Sequence, residues 1–352
     1  MVLLGLLLIY LAVTKGYEPL LLVPIGFGVI VGNMPYGPGD HLSVYDEGTV
    51  FWYLYYLIEH EILPPLIFMG VGALTDFSAL ISNPRLVLLG AAAQAGVFIT
   101  LVGAILLGFS LPAAAAIGII GGADGPTSIF IASKMAPDML GAIAISAYSY
   151  MSLVPVIQPP IMRLLTTREE RLIRMAPPRP VSPRLLILFP IGGFLITALI
   201  IPSALVLLGF LFLGNLLRVS GVTDRLAKTV GGPFIDSVTI LLGFCVGLGT
   251  VWHKFLNPDT LKIFVLGAFA FAVATASGVL FAKLMNVFSK EKINPLLGSA
   301  GVSAVPMAAR VSQQMASKED PNNYLIMHAM APNVAGVIGT AVAAGVFIAM
   351  LN

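Results

Sequence analysis

The sequence predicts an all-α polytopic membrane protein: an inverted repeat with about ten transmembrane helices and two re-entrant helical hairpins. Three observations lead there. The chain is 58% hydrophobic and only 10% charged, with a mean hydropathy of +0.95, where soluble domains carry about 25% charged residues. A basic, proline-rich segment divides it into two halves that share short motifs. Each half also holds an apolar stretch broken by glycine and proline, with one charged residue in or just after it.

Composition excludes several functions. No basic stripe with interleaved aromatics points to nucleic acid. The single cysteine, Cys245, lies in the apolar run LLGFCVGLG and reads as a small buried residue; it rules out an internal disulfide and a cysteine metal site. His41, His60, His253 and His328 are scattered and do not read as a metal cluster. The opening MVLLGLLLIYLAVTKGYE lacks a basic start and a small-residue cleavage site, so it reads as a short first membrane helix.

The boundary between the halves is RLLTTREERLIRMAPPRPVSPR, residues 163–184, which cannot lie in hydrocarbon and is cytoplasmic by the positive-inside rule. Residues 1–162 form the first repeat, with a hairpin over 112–134. Residues 185–352 form the second, with a hairpin over 294–315. GFGVIVGN (Gly26–Asn33) recurs as GFLFLGN (Gly209–Asn215), and GVGA (Gly70–Ala73) as GLGT (Gly247–Thr250). LLGA (Leu88–Ala91) meets VLGA (Val265–Ala268) at the same interval, and GGADGP (Gly121–Pro126) meets GVSAVP (Gly301–Pro306) at nearly that interval. The loop from Met34 to Gly48 is acidic and suits the outside, whereas Lys283, Lys290 and Lys292 suit the inside. The first hairpin therefore enters from outside and the second from the cytoplasm, with their tips meeting at mid-membrane. FWYLYYLIEHEI (Phe51–Ile62) reads as an interfacial helix. Single spans are expected near Leu63–Leu80, Leu86–Gly108 and Leu140–Met162 in the first half.

Asp124 is the first functional candidate. It follows a run from Leu86 to Ala123 without any charged residue. A carboxylate at the bilayer centre costs about 2.5–3.5 kcal/mol, so an intramembrane acid is a functional-site hypothesis by default. Such an acid must be protonated or hold a cation, and a proton and a small cation can compete for it. The bland reading is a protonated side chain bonded to nearby backbone. In the second hairpin, Asn294, Ser299 and Ser303 offer the neutral oxygens that a hard cation such as Na⁺ needs. Small polar residues also serve as helix-packing glue. Arg310 follows a charge-free run from Ile293 to Ala309. It could bind a substrate carboxylate bidentately, act as counter-ion to Asp124, or snorkel to the surface. Tyr148 and Tyr150 could ligand an ion or relay a proton, or belong to an interfacial belt. Asn333, beside Pro332, reads as a packing residue.

GGADGPTSIF (Gly121–Phe130), NPLLGSAGVSAVPMAARV (Asn294–Val311), HAMAPNVAGVIG (His328–Gly339) and YEPLLLVPIGFGVIVGN (Tyr17–Asn33) together resemble the β subunit of the biotin-dependent sodium-pumping decarboxylases. That family includes the oxaloacetate, methylmalonyl-CoA, glutaconyl-CoA and malonate enzymes, and the likeness runs nearly end to end. The resemblance implies a membrane subunit that decarboxylates carboxybiotin, consumes a proton and exports Na⁺. It implies an elevator-transporter-like fold and a homotrimer of β subunits. It also implies a carboxyltransferase and biotin-carrier subunit, a small membrane γ-type subunit, and the inner membrane of a prokaryote. The sodium- and proton-handling roles fall on Asp124, Tyr150, Asn294, Ser303 and Arg310, with Arg310 taking the carboxybiotin carboxylate. No biotin-attachment sequence of the AMKM type is present, so biotin arrives on another chain. The alternative reading is a sodium-coupled secondary carboxylate transporter built on the same repeats.

Overall fold

The structure, a computed structural model, describes residues 1–35 and 44–351, and the regular structure among them is entirely helical. His41 and most of the expected acidic loop lie outside the described residues. The first half contains α1 (Val2–Lys15), α2 (Pro19–Gly32), α3 (Val50–Glu59), α4 (Leu63–Leu74) and a long α5 (Pro84–Leu106) with a turn at Gln94. The first hairpin is α6 (Leu111–Ile119) and α7 (Gly125–Met135), followed by α8 (Leu140–Ser152) and α9 (Val154–Leu165). The second half contains α10 (Pro183–Ile200), α11 (Leu205–Val219), α12 (Ile235–Gly249) and α13 (Pro258–Phe288). A 3₁₀ arm (Pro295–Gly301) and α14 (Met307–Glu319) form the second hairpin, and α15 (Ile326–Leu351) ends the chain.

Among the described residues, six helices are long and apolar enough to cross a membrane, or up to eight if each of two bent pairs crosses as one. The chain is thus a multi-pass membrane protein. The expected ten adds α1 and α2 to these eight. At 14 residues each, these two helices reach only about 21 Å, short of the roughly 30 Å of hydrocarbon. The bent pairs are α3 with α4, at 64°, and α8 with α9, at 62°. The second pair replaces the single helix expected over Leu140–Met162. Pro155 removes a backbone donor and its ring crowds the carbonyl of Met151, so the α8 helix ends at Ser152. The span expected over Leu63–Leu80 likewise ends at Leu74, where Thr75 turns extended.

The second hairpin departs most from expectation. Its first arm is a seven-residue 3₁₀ helix, longer than the three or four residues such helices usually reach. Pro295 removes a donor and Gly298 lets the arm press onto α13. A Cβ on Gly298 would sit 2.1 Å from the carbonyl oxygen of Gly278, inside any real contact.

The repeat motifs meet in space. α2 packs on α12 and α4 packs on α11, each pair at backbone contact. A Cβ on Gly72 would lie 1.9 Å from the Leu211 oxygen, and one on Gly214 would lie 1.9 Å from the Met69 oxygen. In the other pair, a Cβ on Gly28 would lie 2.2 Å from the Phe244 oxygen and one on Gly247 2.2 Å from the Ile25 oxygen. Asparagines latch both pairs in the same way. Asn33 Nδ2 donates to the Thr250 carbonyl at 2.8 Å, and Asn215 Nδ2 donates to the Thr75 carbonyl at 2.8 Å. Each half's Gly-Asn helix therefore grips the other half's paired-glycine helix. Small residues are what let membrane helices approach this closely. At the edge, α10 exposes Leu188, Leu195 and Leu199, an apolar surface suited to lipid.

This interlock predicts a pair of contrasting substitutions. Gly214→Ala forces its methyl onto a backbone carbonyl and should destabilise the fold by about 1–3 kcal/mol or more. Gly192→Ala meets nothing within 4 Å and should leave the melting temperature in detergent unchanged. Equal melting temperatures for the two variants would refute the interlock.

Candidate functional site

The first hairpin turns at Ala123–Asp124. Ala123 takes a left-handed φ of 60°, and Asp124 caps α7. Its Oδ1 accepts from the Thr127 amide at 3.0 Å, and its carbonyl accepts from the Ser128 hydroxyl at 2.8 Å. Pro126, in the first turn, needs no such partner because it has no N–H. Asp124 is 4% exposed. Its other carboxyl oxygen, Oδ2, has no protein partner, and neither has the hydroxyl of Thr127. Two oxygens without partners thus lie three residues apart, one helical turn, in the protein interior. An unpartnered buried oxygen costs about 1–3 kcal/mol, more if charged.

The second tip touches the first. The Ser303 amide donates to the Gly122 carbonyl at 2.9 Å. The Ser303 hydroxyl lies 2.7 Å from that of Thr340, which donates to Gly336 O at 3.0 Å and faces Gln94 Oε1 at 3.2 Å. Gln94 Nε2 in turn donates to the Gly336 carbonyl at 3.2 Å. A Cβ on Gly122 would lie 2.5 Å from the Thr340 hydroxyl. α5 and α15 thus cradle both tips with Gln94 and Thr340. Neither residue stood out in the sequence, because single neutral residues in apolar helices are common. Their charge-free settings carry no signal until the tips are placed beside them. Asn333, expected to pack, holds the second tip closed: its Nδ2 donates to Ala300 O at 3.0 Å and Val302 O at 2.6 Å. Its Oδ1 has no protein partner.

The remaining candidates lie apart from the tips. Ser299 is buried in the 3₁₀ arm, where its hydroxyl donates to Leu296 O at 2.8 Å and lies 2.9 Å from Ser312 Oγ. Gln158 Nε2 donates to the Ser299 carbonyl at 2.8 Å. Tyr150 turns toward α13, with its hydroxyl on the Phe264 carbonyl and its ring near Phe271. Tyr148 is the tyrosine at the first tip: its ring lies where a Cβ on Gly125 would be, 2.2 Å away. Arg310, in the first turn of α14, is exposed and makes no ion pair among the described residues. It is not the counter-ion of Asp124 in this structure.

Asn294 sits at the base of the second hairpin. Its Oδ1 accepts from the Leu296 amide at 3.0 Å, and its Nδ2 donates to the carbonyls of Arg171 and Ile173, both at 2.9 Å. Asn323, beyond α14, donates to the same two carbonyls at 3.3 and 3.2 Å. Arg171 pairs with Glu319 at 2.9 Å and Arg174 with Asp320 at 2.7 Å. The basic linker is thereby strapped to both arms of the hairpin. The hydrogen bond from Arg174 holds the Asp320 carboxyl below its ordinary value of 3.8. That stabilisation is present above pH 3.8 and is lost as the pH falls through the lowered value. Both partners meet solvent, so the pair adds little. Asn294→Ala removes two buried-backbone contacts and should speed tryptic cleavage after Arg171 and Arg174 about tenfold, as a local loss of about 1.4 kcal/mol would give. Asp320→Asn should change that rate less than Asn294→Ala does. The reverse order in a digestion time course would put the strap's strength in the ion pair.

Comparison with known proteins agrees with the earlier resemblance. The profile of the Na⁺-transporting oxaloacetate decarboxylase beta subunit matches residues 1–351. The chain is 56% identical to the glutaconyl-CoA decarboxylase subunit beta of Acidaminococcus fermentans, covering 100% of this chain and 92% of that protein. It is 57% identical to the methylmalonyl-CoA decarboxylase subunit beta of Veillonella parvula, with the same coverage. It is 50% identical to the oxaloacetate decarboxylase beta chain of Klebsiella pneumoniae, over 99% of this chain and 94% of that one. A multi-pass helical chain, with a buried acid where two hairpin tips touch, thus belongs to the β-subunit family of the Na⁺-transporting decarboxylases.

Proposed function

We propose that this chain decarboxylates carboxybiotin delivered by a separate carrier chain and couples the proton it consumes to Na⁺ export. The observation that carries the reading is the unpartnered Asp124 Oδ2, buried at a hairpin tip that is hydrogen-bonded to a second tip. A carboxylate and a hydroxyl oxygen, Asp124 Oδ2 and Thr127 Oγ1, are ligands that a hard monovalent cation accepts. Ser303, one hydrogen bond from the first tip, is the next ligand. Half-helix ends and unwound carbonyls at mid-membrane complete such sites.

The reaction breaks the bond between the carboxyl carbon and the ureido nitrogen. The electron pair stays on nitrogen, which takes a proton as CO₂ leaves. The chain must therefore deliver one proton per turnover. At Asp124 a proton and Na⁺ are mutually exclusive, because one carboxylate holds either. Loading Na⁺ releases the proton, and releasing Na⁺ outward readies the site for the next one. Arg310, exposed and free of acidic partners, presents a guanidinium fork to the substrate carboxylate. Tyr150 stands between α8 and α13 as a proton relay. Ser299 and Asn294 act farther from the tip, Ser299 within the arm and Asn294 at its base, and reach the ion only if the hairpin rearranges.

The exchanged grips of α2 on α12 and α4 on α11 support an inverted repeat, residues 1–162 against 185–352, with 163–184 as a cytoplasmic linker. Movement of one bundle against the other, as in an elevator, would expose the tips alternately. The complex would include a carboxyltransferase and biotin-carrier subunit and a small membrane γ-type subunit. Three β subunits would associate in a prokaryotic inner membrane.

Reconstituted vesicles test the reading. Adding carboxybiotin should drive Na⁺ uptake in the wild type, and Asp124→Asn should abolish it. Uptake at the wild-type rate in that variant would remove Asp124 from the ion path. Arg310→Ala should lower kcat/KM for carboxybiotin by at least about 30-fold, the equivalent of about 2 kcal/mol for truncating one partner of a charge pair. Unchanged kcat/KM would assign substrate binding elsewhere.

A further inference from the structure

A second cluster of charged side chains lies at the linker end of the molecule. A cavity of about 600 Å³ opens between the linker, the turn before α5, the end of α13 and the base of the second hairpin. Its Arg and Lys lining residues are Arg85, Arg174, Arg179 and Lys292, its acidic lining residue is Glu291, and His328 also lines it. Arg174 is matched by Asp320 at 2.7 Å. Arg85 and Arg179 make no ion pair among the described residues, and Lys292 reaches only the Asn286 carbonyl. Three cations thus face one acid.

The walls are built rather than loose. Asn294 and Asn323 pin the linker backbone at Arg171 and Ile173. Asn286 clasps the other wall, with Nδ2 on the Ile293 carbonyl at 2.7 Å and Oδ1 accepting from the Ile293 amide at 2.8 Å. Arg85, in the first turn of α5, is more than a hundred residues distant from Lys292, so folding alone assembles the cluster. Guanidinium groups without ion pairs lining one cavity suit a phosphoryl group, through forked hydrogen bonds and charge together.

We propose that this cavity binds a phosphoryl group, either inorganic phosphate or the headgroup of an anionic phospholipid. Basic pockets between helices at a cytoplasmic surface suit such headgroups, and neighbouring Val287 and Phe288 on α13 are exposed, as an acyl chain would require. The ligand would bridge the linker to the start of α5 and the end of α13.

Two measurements on the purified full chain test this, with Arg85→Gln/Arg179→Gln compared with Arg225→Gln/Lys228→Gln, which removes the same charge elsewhere. Titration with inorganic phosphate, at ionic strength held by chloride, should show saturable binding. The first double variant should weaken it at least tenfold, and the second should leave it unchanged. Native mass spectrometry from vesicles containing phosphatidylglycerol should show the same order for retained lipid if the source is a headgroup. Arg85→Lys/Arg179→Lys, which keeps the charge, should retain most binding and guards against misfolding of the glutamine variant. Phosphate binding alone assigns a soluble ligand, and lipid retention alone assigns a headgroup. Binding of neither, or equal loss in both glutamine double variants, overturns the site.

Discussion

The structure depends on one constraint: irregular backbone inside an apolar protein must find hydrogen-bond partners from the protein itself. Both hairpins break their helices in the interior, and each break frees amides and carbonyls. The Ser303 amide takes the Gly122 carbonyl, so each tip completes the other. Asn333 takes two carbonyls of the second tip, and Asp124 takes an amide of the first. What remains unpartnered after this matching is small and specific. At the first tip it is Asp124 Oδ2 and Thr127 Oγ1.

That remainder links packing to function. A membrane protein could have satisfied these oxygens with another neutral donor. The protein instead leaves a carboxyl oxygen unpartnered, and the proposed ion site rests on that oxygen. The cradle of Gln94 and Thr340 keeps the second tip against the first by hydroxyl and amide contacts without charge. Asp124 is thereby the one ionisable side chain among these tip contacts. Close glycine contacts elsewhere, between α4 and α11 and between α2 and α12, set a rigid frame against which the tips are held.

The linker belongs to the same logic. Its arginines are cytoplasmic in sequence terms, but the carbonyls of Arg171 and Ile173 hold both arms of the second hairpin at the base. Asn294 spends both ends of its amide there, nine positions before the tip serine. The spacing of Asn294, Ser299 and Ser303 in one motif suggested a shared ligand set. The 3₁₀ arm holds them apart, with Asn294 capping its start, Ser299 within it and Ser303 beyond its end, because a 3₁₀ helix rises about 2 Å per residue rather than 1.5 Å.

Much was legible in the sequence. Low charge content implies a bilayer whatever the fold, since a bilayer selects by transfer free energy residue by residue. Glycine and proline around Asp124 mark a break because they act locally on backbone freedom and donors. Family membership was legible because its motifs are long and contiguous. The tertiary structure alone decided which polar groups meet. Gln94 and Thr340 lie far apart in the chain and look ordinary in isolation. Tyr148 rather than Tyr150 reaches the first tip because helix phase, set by packing of α8 on α7, chooses between neighbours two positions apart. Arg310 could have paired with Asp124 on charge alone, yet it lies exposed, because its direction follows from the helix that carries it. Sequence determines which groups are costly to bury; only the packed chain determines which of those costs are met by a partner and which are left for a ligand.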